Sequence, residues 1–329
     1  MRNAQRGFKS QQVFTKNGFK TSRLSFSLLL LPCASLLSSC AKTPEKPAIA
    51  FESWGKFGHL PGQFKGPRAI ATDEKQVFVA DRASRISVWT TGGKFLRRWE
   101  APVKRNGAFE GPEGIAALRN GDLAVTNTHS SRVLIYSKTG KLKSTFGSYG
   151  YEKGQFLLVT GITQDAQGFI YCADYGGRFD RISKWTSDGK WVAQWQGHGS
   201  APRHFRRPCG LAISKNGDLL VADIGNHRVQ ILDRHTGKFK GQIASRGTQN
   251  GQLTYPYGVA TDGAGQIYTL EYGTHRVQKW DKNGKWLASA GAPGRKKGEF
   301  ANPWGIAVSR DGWVFVADTN NDRIQKFRF

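Results

Sequence analysis

One pattern, G-Q-F-x-x-P-x-G-[IV]-A, returns along this chain at nearly constant spacing, and that recurrence constrains the fold more than any other feature. Each copy continues through a short turn into V-[FY]-V-A-D, then N-x-R-[IV]-Q-x-[WF], then G-K-[FW]. The proline falls at Pro67, Pro112, Pro208, Pro256 and Pro303, with Val159 in its place in the third copy, giving intervals of 45, 47, 49, 48 and 47 residues. A unit of that length holds four short strands, the size of one propeller blade, and cannot bury its apolar faces without neighbours. Six copies therefore predict an all-β, six-bladed β-propeller. The 40 glycines and 12% aromatic content suit short strands joined by tight turns.

Within a copy the strands follow from residue pattern. The last copy reads as an inner strand Gly305–Val308, a turn at Ser309–Gly312, a second strand from Trp313 to Ala317 and a third from Arg323 to Phe327. The chain then stops, one strand short. Ala48 to Trp54, upstream of the first copy, resembles the outer strands of the other blades and is expected to complete blade six against Arg323 to Phe329. Such closure removes the free sheet edges.

The first 39 residues differ in kind. Six basic and no acidic residues accompany an apolar run from Leu24 to Leu37, shorter than the ~20 residues a membrane-spanning helix needs. Leu37-Ser38-Ser39-Cys40 resembles the lipobox of bacterial lipoproteins, which implies lipidation of Cys40 and anchoring through its acyl chains. Ordinary signal cleavage, leaving Cys40 a free thiol, is the alternative. The expected organisation is a signal peptide over 1–39, lipidated Cys40 and a polar tether over 40–47, and the propeller over 48–329. Removal of the leader leaves 43 basic against 24 acidic residues, about +19. An exported, lipid-anchored envelope protein is expected, at the outer rather than the inner membrane because no Asp follows Cys40. Only Cys172 and Cys209 remain in the propeller, and they read as buried free thiols.

The repeat resembles the NHL repeat, and the resemblance runs from Phe51 to Phe329. Val221-Ala222-Asp223-Ile224-Gly225-Asn226-His227-Arg228-Val229-Gln230 carries the signature nearly complete. The third copy departs most, with a longer loop from Asp174 to Arg181 and no proline. Two series repeat in every blade: Asp81, Asn127, Asp174, Asp223, Glu271 and Asp318, and Arg85, Arg132, Arg181, Arg228, Arg276 and Arg323. A sixfold series points to loop ties and blade contacts, because catalysis needs groups that converge once. Trp89, Tyr136, Trp185, Leu232, Trp280 and Phe327 occupy another repeated position and read as packing between blades.

The residue after the repeated proline varies where the framework does not. It is Arg68, Glu113, Thr160, Cys209, Tyr257 and Trp304 in the six copies. Blade order places it at the rim of the central channel, on the face that also carries the loops between blades; we call this the upper face. A position where structure asks for nothing in particular is where a binding site can be written. Basic residues gather in the same loops, at Lys104 and Arg105, at Arg203, His204, Arg206 and Arg207, and at Arg295, Lys296 and Lys297. This crown and the rim aromatics suit an acidic protein surface or an acidic glycan. NHL propellers elsewhere bind proteins and, in the cytoplasm, RNA; export takes nucleic acid out of the expected partners. The module is expected to be a monomeric scaffold needing no cofactor.

The alternative is a metal-dependent lyase or hydrolase, of the amidating-lyase or gluconolactonase type, using zinc or calcium on the same face. His129, His227 and His275 could supply imidazole ligands. The resemblance weighs against it at one point: amidating lyases place a metal-binding histidine after the proline, and none of the six residues there is histidine. Calcium would need several oxygen ligands, and Glu113 is the sole acid at the rim.

Overall fold

The computed structural model describes residues 49–102 and 111–329. Its strands form six four-stranded antiparallel sheets, with one short parallel pair, Ala292–Pro293 and Glu299–Phe300, in the loop entering blade six. Blade one runs through Pro67–Thr72, Gln76–Asp81, Arg85–Thr90 and Phe95–Glu100, from the channel outward. Blades two to five repeat this order, their inner strands being Pro112–Ala117, Leu158–Gln164, Pro208–Ile213 and Pro256–Thr261. Blade six takes Gly305–Val308, Val314–Asp318 and Arg323–Phe327 from one end of the chain and Phe51–Trp54 from the other, with Phe51 opposite Phe327 and Trp54 opposite Ile324. The closure expected from the sequence is thus made. The leader, Cys40, the tether and the loop with Lys104 and Arg105 lie outside the described residues.

Strand alternation explains where the core sits. In Gln76–Asp81, Val77 and Val79 face blade six while Phe78 and Ala80 face blade two. Every blade sends its two faces to two neighbours in this way, so the protein has six inter-blade cores rather than one. Their largest members are the repeated bulky residues: Trp89 lies 5.2 Å from Phe64, and Trp185 lies 4.7 Å from Phe146 and 5.1 Å from Phe156 between ring centroids. Cys172 and Cys209 are both buried and unpaired.

Near the axis the inner strands approach so closely that side chains are excluded. A Cβ at Gly161 would lie 1.8 Å from the Cys209 carbonyl oxygen, one at Gly114 2.1 Å from that of Thr160, and one at Gly305 2.3 Å from that of Arg68. The repeated glycine is therefore a spacing device. Just before it, the inner strands of blades one to five slip register, so that Pro67 pairs with Asp81 but Ala69 pairs with Ala80. A bulge of this kind turns its extra residue out of the ladder.

Candidate functional site at the channel mouth

The bulged residues are the five variable ones, Arg68, Glu113, Thr160, Cys209 and Tyr257; in blade six Trp304 stands just before the strand, its N–H bonded to the Ala317 carbonyl. Five of the six line one small cavity of about 80 Å³, together with the close-packed glycines. Thr160 does not join them: its hydroxyl turns into the wall and donates to the Ala173 and Pro208 carbonyls. Nor is the position an open, exposed rim as its variability suggested. Arg68, Thr160, Cys209 and Tyr257 are all buried, Thr160 in the wall and the other three in the narrow mouth. Beneath the mouth a ring of Ile70, Ile115, Ile162, Leu211, Val259 and Ile306 stands between this cavity and a second, of about 280 Å³, at the opposite end.

Two guanidinium groups dominate the mouth, and their circumstances differ. Arg68 Nη1 donates to Glu113 Oε1 at 2.7 Å, and its guanidinium sits 4.7 Å from the Trp304 ring centre. Burial draws its pKa down, and Glu113 opposes that. Arg207, from the loop entering the opposite blade, lies 5.2 Å from the Tyr175 ring and 5.6 Å from the Tyr257 ring, with no carboxylate paired to it among the described residues. Tyr257 continues the aromatic wall, stacked 4.9 Å from Tyr272 and edge-on 4.6 Å from Trp304. Burial pushes the Tyr257 hydroxyl and the Cys209 thiol each up to about 12, so both are neutral at physiological pH. The site thus holds Arg207, a cation in an aromatic bed without a carboxylate partner among the described residues, and the neutralised Arg68–Glu113 pair.

Tyr175 and Tyr272 escaped the sequence reading, although the signal was there. They follow the repeated acid, at a second variable position occupied by Arg82, Thr128, Tyr175, Ile224, Tyr272 and Thr319. The 2–3 loop brings that position up beside the bulge.

The two sixfold series do what repetition implied. Asp223 accepts the Arg206 N–H at 2.7 Å, while Arg228 bonds Asp223 through Nε at 3.0 Å and the Ala201 and His204 carbonyls through Nη2. The same acid–arginine tie between the 2–3 loop and the preceding inter-blade loop recurs in blades one, three, five and six. In blade two Asn127 instead donates to the Pro102 carbonyl.

The three histidines are spread around the ring. His227 Nδ1 accepts the Tyr255 N–H at 3.2 Å, and burial, aided by Arg246, draws its pKa down. His275 donates through Nδ1 to the Phe300 carbonyl at 3.0 Å. Both clasp the next blade's loop. His129 is exposed in the 2–3 loop of blade two. Among the described residues no three His, Cys, Asp or Glu side chains come together as a metal-ligand set.

Around the mouth the inter-blade loops expose Arg203, Arg206 and Arg207 together with Phe57, Tyr149, Tyr151 and Tyr255. Phe57 and Tyr149 hold equivalent places, each bridged to the buried phenylalanine of G-Q-F, and are 63% and 69% exposed. These side chains point where no neighbouring blade can cover them.

The NHL repeat family model matches residues 109–136, 205–232 and 300–327, in blades two, four and six. Human NHL repeat-containing protein 3 is 30% identical over 185 residues, 52% of this chain and 51% of that protein. The chain spans about half the length of the curated relatives it matches first. Among solved structures, virginiamycin B lyase from Staphylococcus aureus superposes with a TM-score of 0.59 at 17% identity, covering 86% of this chain and 100% of the lyase. A gluconolactonase from Xanthomonas campestris superposes with a TM-score of 0.59 at 14% identity, covering 81% and 86%. At such identities the likeness is one of fold.

Proposed function

We propose that this six-bladed propeller of NHL repeats is a recognition module of the cell envelope, held to a membrane through Cys40 and binding an acidic protein surface or acidic glycan on its upper face. The observation that carries the reading is Arg207: a guanidinium bedded between two tyrosine rings, without a carboxylate partner among the described residues, at the centre of a face that also exposes Arg203 and Arg206. A cation held in place before its partner arrives loses little freedom on binding. The mouth cavity, at about 80 Å³, is far below the ~300 Å³ of a small-molecule pocket, and Arg207 stands outside its lining, so a partner's carboxylate would meet this cation on the exposed face. The exposed aromatics would meet the rest of the partner.

The test is binding to immobilised polyglutamate and to alginate at several salt concentrations. Arg203→Gln, Arg206→Gln and Arg207→Gln combined should weaken binding at least ~10-fold and flatten its salt dependence, with the melting temperature unchanged. Undiminished binding by that folded variant would remove the upper face from the reading.

The second reading, a metal-dependent lyase or hydrolase with zinc or calcium, is supported by the fold likeness to virginiamycin B lyase and gluconolactonase. Elemental analysis of the dialysed protein separates the two. One equivalent of metal, lost on changing His275 or Glu113, would favour the enzyme.

A further inference from the structure

We propose that the junction of blades six and one carries a binding cleft for a phosphomonoester, beside the channel mouth but sharing no lining residue with its cavity. A cavity of about 530 Å³ opens on the upper face there, within the ~300–1,000 Å³ range of small-ligand sites. Its lining includes Lys65, Arg82 and Arg295, none of which forms an ion pair among the described residues. The one carboxylate in the lining, Asp322, is already engaged: its Oδ1 accepts the Gly66 N–H at 2.7 Å. Among the described residues of the lining, three cations stand against one occupied carboxylate, an excess of two positive charges.

Arg82 is the element that makes this a site and not a charged patch. Its stem lies across Gly66, where a Cβ would come within 2.9 Å of Arg82 Cδ, so the positive-φ glycine gives the side chain its bed. Its Nε is buried and has no hydrogen-bond partner among the described residues. A buried donor left unmet is costly, and an oxyanion in the cleft would meet it. A fixed guanidinium fork matches phosphate geometry, with Lys65 and Arg295 as flanking point charges. A phosphomonoester is nearly dianionic at neutral pH, which matches the excess of two, whereas a carboxylate would cancel half of it. The cleft is far larger than a phosphate group alone, and exposed Phe57 in its wall offers an apolar surface to the ring or chain that bears it. A soluble sugar phosphate and a phosphorylated lipid headgroup share this chemistry.

The experiment is calorimetric titration of the intact protein with glucose 6-phosphate and with glucose at fixed ionic strength, alongside flotation with phosphatidate-containing and phosphatidylcholine-only vesicles. Glucose 6-phosphate should bind with a Kd below ~1 mM and glucose should not. Arg82→Gln, and separately Lys65→Gln with Arg295→Gln, should each weaken binding at least ~10-fold, whereas Arg207→Gln should leave it unchanged. The paired variant changes only exposed side chains, so the test survives if Arg82→Gln fails to fold. Capture by phosphatidate vesicles alone, with the same variant pattern, assigns the headgroup; binding of the soluble ester alone assigns that source; either supports the cleft. It is overturned if neither probe binds saturably, or if binding ignores the paired variant. Binding lost only in Arg207→Gln would transfer the anion to the channel mouth and overturn the cleft while favouring the reading above.

Discussion

Arg207 and Cys209 are two residues apart, and the strand bulge at Cys209 gives them opposite environments. Arg207 remains at the surface, while Cys209 is carried into a cluster with Ile224 and Tyr257. Burial raises the Cys209 thiol from 9.0 to about 12, so at pH 8 its thiolate fraction is ~1,000-fold below that of an ordinary cysteine. Iodoacetamide at pH 8 should accordingly leave the Cys209 peptide unmodified in the native protein and label it fully in denaturant, as read by peptide mass spectrometry. Appreciable native labelling would mean that the mouth opens to solvent. The sequence reads Cys209 both as a buried free thiol and as a variable rim residue beside a proline, and the structure shows how a residue at the rim comes to be buried. Its burial depends on how the strand slips register, which one chain segment cannot reveal. The same slip turns Thr160 into the wall while Glu113 reaches Arg68.

At the level of the strand, the glycine of the inner strand and a glycine of an outer strand answer to different physics. Gly161 faces the Cys209 carbonyl at a distance no Cβ can occupy, and both partners are backbone, so neither can rotate away. Gly241, in the fourth strand Phe239–Ile243, meets nothing within 4 Å. Gly161→Ala should therefore cost about 3 kcal/mol or more, by forcing two blades apart. Gly241→Ala should be neutral or stabilising by up to ~1 kcal/mol, because it restricts only the unfolded chain. Urea denaturation of both variants measures the contrast, and equal effects would contradict the close approach of the inner strands. The repeat made the inner glycine visible as a recurring residue. Ala69 in blade one, at the equivalent place, shows that the requirement comes from the distance to the neighbouring blade and not from the repeat itself.

For the whole molecule, closure is the step on which everything else depends. Phe51–Trp54 supplies the outer strand of blade six, Phe51 packs 4.5 Å from Phe327, and Trp54 lies 6.4 Å from Trp89 of blade one. Thr319 adds a bond to the Pro67 carbonyl at 2.7 Å, and Asp322 holds Gly66. Six inter-blade cores arranged in a ring share their stability, so removing one seam exposes two sheet edges and two apolar faces. Deletion through Trp54, or of the last seven residues from Arg323, should abolish the single cooperative thermal transition seen by calorimetry. A truncated protein that still melted sharply at the same temperature would show that the ring does not need its closing strand. The same closure builds the cleft between blades six and one, where Lys65 and Arg82 from one blade meet Arg295 and Asp322 from the other.

The sequence alone determined the blade number, the order of strands and the borrowed strand that closes the ring, because each follows from a period and a residue alternation written locally in every copy. It also separated the sixfold acid–arginine ties from anything functional, since repetition itself argued for a structural role. Tertiary structure decided which variable residues meet. Arg68 finds Glu113 and Trp304, Arg207 finds Tyr175 and Tyr257, and His227 and His275 go to separate inter-blade joints. These pairings join residues of neighbouring blades around a narrow axis. Their distances depend on how far each inner strand bulges and how closely the glycines let the blades approach, quantities set by the closed ring and by no single repeat.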